Sequence, residues 1–149
     1  MRSNYNFDAD LPLGEQAQAQ AIELVRRRFA GLADIRPCRT KEYDFGGTLD
    51  GREIKFEVKW DRRAGETGNV AIEFESRGRP SGLSVSAADY YIYKIGEQGF
   101  YLFETAALKQ KLSDRRNVER IVSGGDPGSN TRMYLVRVRK FVAWGEELK

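Results

Sequence analysis

Three residues in the first half of the chain have types and spacings suited to phosphodiester chemistry: Asp44, Glu57 and Lys59. Asp50-Gly51, a pair favoured in two-residue type I′ hairpins, separates two runs with strand character, Lys41 to Thr48 and Arg52 to Trp60. Across that turn Leu49 faces Arg52, Phe45 faces Phe56 and Asp44 faces Glu57. Directly opposite residues point to the same side, about 5 Å apart at Cβ. Lys59, two residues beyond Glu57, shares their face. Two opposed carboxylates repel, and a divalent cation between them turns that repulsion into binding. Such a cation can bind a nonbridging phosphate oxygen, offset transition-state charge and lower the pKa of its water. Lys59 could orient or deprotonate the attacking water, or stabilise the phosphorane charge. The competing description is a solvated strand face, where alternating Lys and Glu are ordinary. A bulge at Gly46-Gly47 would shift the pairing by one residue.

Composition narrows the chemistry further. The 149 residues include no His and one Cys. That excludes Ser-His-Asp and Cys-His machinery, His-ligated zinc, intramolecular disulfides and CxxC sites. Acid-base or metal chemistry is left to Asp, Glu, Lys, Tyr and backbone oxygen, and oxygen donors favour Mg²⁺ or Mn²⁺. Lys and Arg number 25 against 22 Asp and Glu, a net charge of +3 that permits a polyanionic partner without requiring one. A hydrophobic content of 40% argues against disorder, and the length predicts one domain over residues 1–149. No apolar run approaches a membrane span, and the N-terminus lacks the apolar stretch of a signal peptide. The expected location is intracellular, in the cytoplasm.

Several elements must position the trio. Leu13 to Phe29 reads as an amphipathic helix with a stripe of Ala19, Ile22, Val25 and Phe29, and Glu15 at its N-terminal end. Gly31 and Pro37 then begin a connection. In the second hairpin strand Ile54, Phe56, Val58 and Trp60 face one way, and Lys55, Glu57 and Lys59 the other. A third strand near 69–75 is expected beside the second in a meander, then SRGRPSGLSVSA as a loop or a loop with a short helical turn before Ala87, and strands at Tyr90–Ile95 and Phe100–Phe103. A short helix at Ala106–Leu112, a long loop around Ser123–Asn130 and a last strand at Met133–Val138 complete the chain. The order gives an α/β or α+β fold with a central mixed sheet.

Glu15 on a first helix, Asp44 on a strand and Glu57-Val58-Lys59 on the next strand resemble the PD-(D/E)xK nuclease superfamily, which includes restriction endonucleases and Holliday junction resolvases. Tyr43 stands where the eponymous Pro would be. The resemblance covers about residues 13–105. It implies a restriction endonuclease-like α/β fold, with a central mixed sheet of four to five strands flanked by helices. It also implies a DNA endonuclease of prokaryotic or phage origin, with branched or junction DNA among its substrate classes. By position, Asp44 and Glu57 would be metal ligands together with the Val58 carbonyl, and Lys59 the catalytic lysine. Glu15 would support the metal or its waters, and the cofactor would be one or two Mg²⁺ ions with Mn²⁺ substituting. A homodimer cutting two strands is expected by analogy.

Outside the trio each feature has two readings. Glu73 is a further metal or water ligand, or an exposed strand residue like Glu75. Arg77, Arg79, Ser81 and Gly82 form a basic loop that grips phosphates through side chains and backbone N–H groups, or is merely solvated. Arg62 and Arg63 contact DNA beside the metal face, or are surface charges. Tyr91 and Tyr93 bury their rings, and Lys109, Lys111, Arg115 and Arg116 form a second basic cluster. The rival to an enzyme is a non-catalytic nucleic-acid-binding module on the same fold.

Overall fold

Where a helix lays its small residues decides how closely a sheet can approach it. The computed structural model describes residues 7–125 and 127–149, beginning with α1 (Phe7–Arg28). The helix buries Ala17, Ala21 and Val25 along one line, with Ile22 and Phe29 at the margins. Ala19, expected in the stripe, is exposed. The line of fours through the two buried alanines brings the helix axis close to the sheet.

The chain continues through β1 (Ala33–Pro37), β2 (Phe45–Leu49), β3 (Arg52–Asp61), α2 (Ala64–Thr67), β4 (Asn69–Ser76) and β5 (Arg79–Pro80). A 3-10 turn at Gly82–Val85 leads to β6 (Tyr90–Ile95), β7 (Gly99–Glu104) and α3 (Thr105–Ser113). A second 3-10 turn at Arg115–Asn117 precedes β8 (Arg120–Gly124), β9 (Thr131–Arg137), α4 (Val138–Trp144) and β10 (Glu146–Leu148). The central sheet is six-stranded and mixed, in the order β1-β2-β3-β6-β7-β10, with β3 and β6 its parallel pair. A second, antiparallel sheet has the order β5-β4-β9-β8.

The hairpin has the expected register, with Leu49 opposite Arg52 and Phe45 opposite Phe56. Asp50 and Gly51 both take positive φ (50° and 78°), as a type I′ turn requires. Gly46 and Gly47 pair regularly with Lys55 and Ile54, so no bulge interrupts the ladder there. Gly47 instead admits a neighbour: a Cβ on it would lie 2.9 Å from the Leu32 side chain.

Three expectations need correction. The central sheet has six strands instead of four or five, because β1 and β10 add short edges. β4 is not a neighbour of β3 but belongs to the second sheet. The segment from Arg77 to Gly82 is no plain loop: Arg77-Gly78 close a hairpin in which Ser76 pairs with Arg79.

Each face of the central sheet has its own core. On the α1 side Phe45, Phe56 and Ile92 are fully buried with Ala21 and Val25, and the two Phe rings stack at 4.9 Å. On the other side Tyr91, Tyr93 and Phe103 pack under Leu108 of α3, Phe141 of α4 and Val70, Ile72 and Val136 of the second sheet. Burying each large side chain contributes about 2 kcal/mol, so both faces hold the sheet in place. Among the described residues no helix is long and apolar enough to cross a membrane.

Candidate active site

Asp44 lies in a bend one residue before β2, instead of on the strand itself. Its amide donates to the Phe56 carbonyl at 3.0 Å, and its own carbonyl accepts from the Cys38 amide at 3.0 Å. The Val58 amide donates to Asp44 Oδ2 at 2.7 Å. These three bonds hold the carboxylate against β3. N–H and C=O of one strand residue face the same edge, so the Val58 carbonyl also turns towards Asp44.

Glu57 and Lys59 project from the face of β3 opposite Phe56. Lys59 Nζ lies 3.3 Å from Glu57 Oε1. The Glu57 side chain is 18% exposed and that of Lys59 48%, so the carboxylate is largely sealed while the ammonium reaches the solvent side. Burial pushes the Asp44 carboxyl above its usual pKa, against the Val58 N–H and the Lys59 ammonium. Burial also raises Glu57, with Lys59 opposing and the charge of Asp44 adding to the rise. Burial works to lower Lys59, but Glu57 outweighs it, Tyr91 and Asp44 add, and the amine rises.

Two half-buried acids, both raised by burial and Glu57 also by the charge of Asp44, fit a hard dication. Among the described residues no three His, Cys, Asp or Glu side chains gather as a metal site. The oxygens that could hold a cation here are two carboxylates and the Val58 carbonyl, and Mg²⁺ commonly leaves its other positions to water and substrate oxygens.

Of the trio Lys59 lines a cleft of about 290 Å³, with Asp61 and Tyr91 from the central sheet and Ala71, Glu73 and Met133 from the second. Glu73 thus reaches the cleft from across it, because the chain leaves the central sheet after β3. Asp61 fixes that departure: Oδ1 accepts from the Arg63 amide at 3.2 Å and Oδ2 from the Ala71 amide at 2.9 Å. The sequence reading passes over Asp61, although period-two spacing from Glu57 and Lys59 puts it on their face. Tyr91 stands opposite Glu57 in the parallel register, and burial raises its phenol above the ordinary pKa while Ser86 opposes the rise. Tyr91 and Tyr93 are both buried, as expected.

Glu15 is not brought to the trio. It is exposed on α1, which covers the Phe45–Phe56 face, whereas Glu57 and Lys59 lie on the other. Measured from the buried line Ala17-Ala21-Val25, Glu15 is two residues out of phase and turns to solvent. Arg62 lines the cleft with its guanidinium 5.3 Å from the Trp60 ring centre, and Arg63 is exposed at the start of α2. Arg77 and Arg79 are exposed at the tip of their hairpin. The Ser81 hydroxyl, expected to meet phosphate, is buried without a hydrogen-bond partner and out of reach of one. Glu75 pairs with Arg132 at 3.4 Å.

The structure thus sets acids and a lysine beside the parallel strand pair of a mixed α/β sheet flanked by helices. No family model and no curated protein matches the chain. Among solved structures it is similar to Hjc, a Holliday junction resolvase from the archaeal hyperthermophile Archaeoglobus fulgidus. The TM-score is 0.44 at 11% identity, over 89% of this chain and 94% of that one.

Proposed function

We propose that the chain is a single nuclease domain that hydrolyses DNA phosphodiester bonds with a divalent cation. The observation that carries this reading is one cluster whose lysine lines a cleft. Asp44 and Glu57 each carry a raised pKa, and Lys59 stands 3.3 Å from Glu57. Asp44, Glu57 and the Val58 carbonyl would hold the cation, with Glu73 across the cleft as a further ligand of the metal or its water. Hard oxygen donors favour Mg²⁺, and Mn²⁺ substitutes. When bound, the cation offsets charge on the scissile phosphate and lowers the pKa of a water.

The protein's own groups do the positioning. The Val58 N–H keeps one Asp44 oxygen engaged and so fixes the direction of the other. Lys59, an ammonium with three donors, can hold the attacking water and a nonbridging phosphate oxygen together. The cleft volume suits one phosphodiester projecting from a nucleic acid, not a whole duplex. Arg62, Arg63, Arg77 and Arg79 supply contacts to phosphates on either side.

Nicking of supercoiled plasmid tests the reading. Wild-type protein cuts with Mg²⁺ or Mn²⁺ and is silent in EDTA, while Lys59→Ala binds DNA and leaves it uncut. A binding module would retain plasmid and nick none of it under any metal. Equal cutting by wild type and Lys59→Ala would overturn the assignment of the trio. Linear, single-stranded, flapped and four-way-junction substrates then report the preferred DNA shape, and equilibrium sedimentation reports whether a homodimer forms.

A further inference from the structure

The net charge of +3 conceals a strong segregation. Residues 105–144 hold nine Lys and Arg against three Asp and Glu, whereas residues 1–104 hold fifteen against seventeen. The positive half gathers around α4. A cavity of about 720 Å³ there is lined by Arg137, Arg139 and Lys140, with no acid among its walls. All three cations are exposed.

Their own neighbours leave most of this charge unmatched. Arg137 meets exposed Glu119 at 3.1 Å. Lys140 donates to a neutral acceptor, the Arg116 carbonyl, at 3.4 Å. The nearby Asp114 is already bridged to Arg116 at 2.8 Å. Arg139 has no ion-pair partner among the described residues. The apolar side of α4 is spent on the core through Phe141, which is fully buried. What the surface offers a partner is therefore charge and hydrogen-bond donors, the chemistry that reads phosphate.

The surface is also joined to the cleft. Gly68, which shares the basic cavity, ends α2 and accepts from the Val138 amide at 3.0 Å. Arg137 pairs with Asn69 at the start of β4. Ala71, two residues beyond Asn69 and three beyond Gly68, lines the cleft of Lys59.

From this we infer that Arg137, Arg139 and Lys140 form a second phosphate-binding surface, which holds the backbone of a DNA duplex to one side of the bond presented to the cleft. The proposal rests on the nuclease reading for the identity of the polyanion.

The test measures binding apart from cutting. Wild type and Arg137→Ala/Arg139→Ala/Lys140→Ala are titrated with a labelled DNA duplex in EDTA over a range of salt concentrations. The expected result is at least about a tenfold loss of affinity at low salt. The slope of log affinity against log salt falls by about 2.7, from about 0.9 for each phosphate that is no longer neutralised. Arg139→Lys/Lys140→Arg keeps the charge and binds as wild type does. If the triple variant fails to fold, Arg139→Glu alone carries the same test with a slope change of about 0.9 or more. Unchanged affinity and slope overturn the surface, as does a wild type that binds no duplex. Magnesium-dependent nicking by wild type together with an unchanged slope removes this surface and keeps the nuclease. A reduced slope without any nicking by wild type keeps the surface and removes the nuclease.

Discussion

Asp44→Asn separates electrostatic stress from hydrogen bonding at the trio. The substituted amide oxygen can still accept the Val58 N–H that now lies 2.7 Å from Oδ2, so local geometry is retained. What disappears is one of two negative charges in a largely sealed site. Two like charges at the generic cross-strand spacing of about 5 Å would repel by about 3 kcal/mol at an effective dielectric of about 20. Lys59 offsets much of this, leaving a strain of about 1 kcal/mol in the metal-free protein. Its removal should raise the melting temperature in EDTA by roughly 2–4 °C for a chain of this length.

The pH dependence has a definite sign. Asp44 and Glu57 have folded pKa values above their ordinary 3.8 and 4.5, so between the two the folded state binds more protons than the unfolded. Their penalty is therefore fully present at neutral pH and fades as pH falls through the raised values to the ordinary ones. The advantage of Asp44→Asn over wild type should shrink over that window. Mg²⁺ should stabilise wild type at neutral pH, as a ligand of the folded state does, and have little effect on the variant. Cleavage should drop by at least about a hundredfold, since metal assistance contributes several kcal/mol. Thermal melts in EDTA and in MgCl₂ from acid to neutral pH provide the readout. Identical melting curves for the two proteins in all conditions would refute the reasoning.

Other outcomes follow from the walls of the cleft. Arg77→Ala/Arg79→Ala should lower the salt slope of DNA binding by about 0.9 for each phosphate released and leave cleavage at saturating DNA intact; an unchanged slope would mean that the hairpin tip touches no phosphate. Gly82→Ala would place a Cβ 2.4 Å from the Glu73 carbonyl at a φ of +53°. Such strain costs roughly 1–3 kcal/mol, so denaturant melts should shift to lower midpoints and nicking should weaken as Glu73 moves. Wild-type stability and activity would show that the turn absorbs the change.

The hairpin register was legible because it came from local rules. Asp50-Gly51 set the hairpin register, and period two then put Glu57 and Lys59 on one face and Phe56 on the other. The helix phase was not legible. In the run Gln16 to Ala21 alanines alternate with glutamines, so Ala17, Ala19 and Ala21 compete for the buried line and only packing on Phe45 and Phe56 selects among them. That choice also sends Glu15 away. Alternation identified β4 as a strand but could not say which sheet it would join, since that depends on α2 and on Asp61 reaching the Ala71 amide. β1, β8 and β10 are short and carry few apolar residues, and α4 interrupts its apolar pattern with Arg139 and Lys140. Their pairing is a tertiary outcome that local pattern does not encode.

Both oxygens of Asp61 are engaged at the point where the two sheets diverge, one by the turn and one by the far wall. One side chain thus acts as the pivot pin of a caliper whose arms are β3 and β4, and the chain between the arms is only a few residues long. A pinned caliper gauges what it receives instead of clamping down on it. On the nuclease reading, a bond to be cut would have to stand clear of its duplex, at a nick, a flap, a bend or a branch, before entering a slot of set width. Discrimination among substrates would then come from the shape of the nucleic acid and not from movement of the protein.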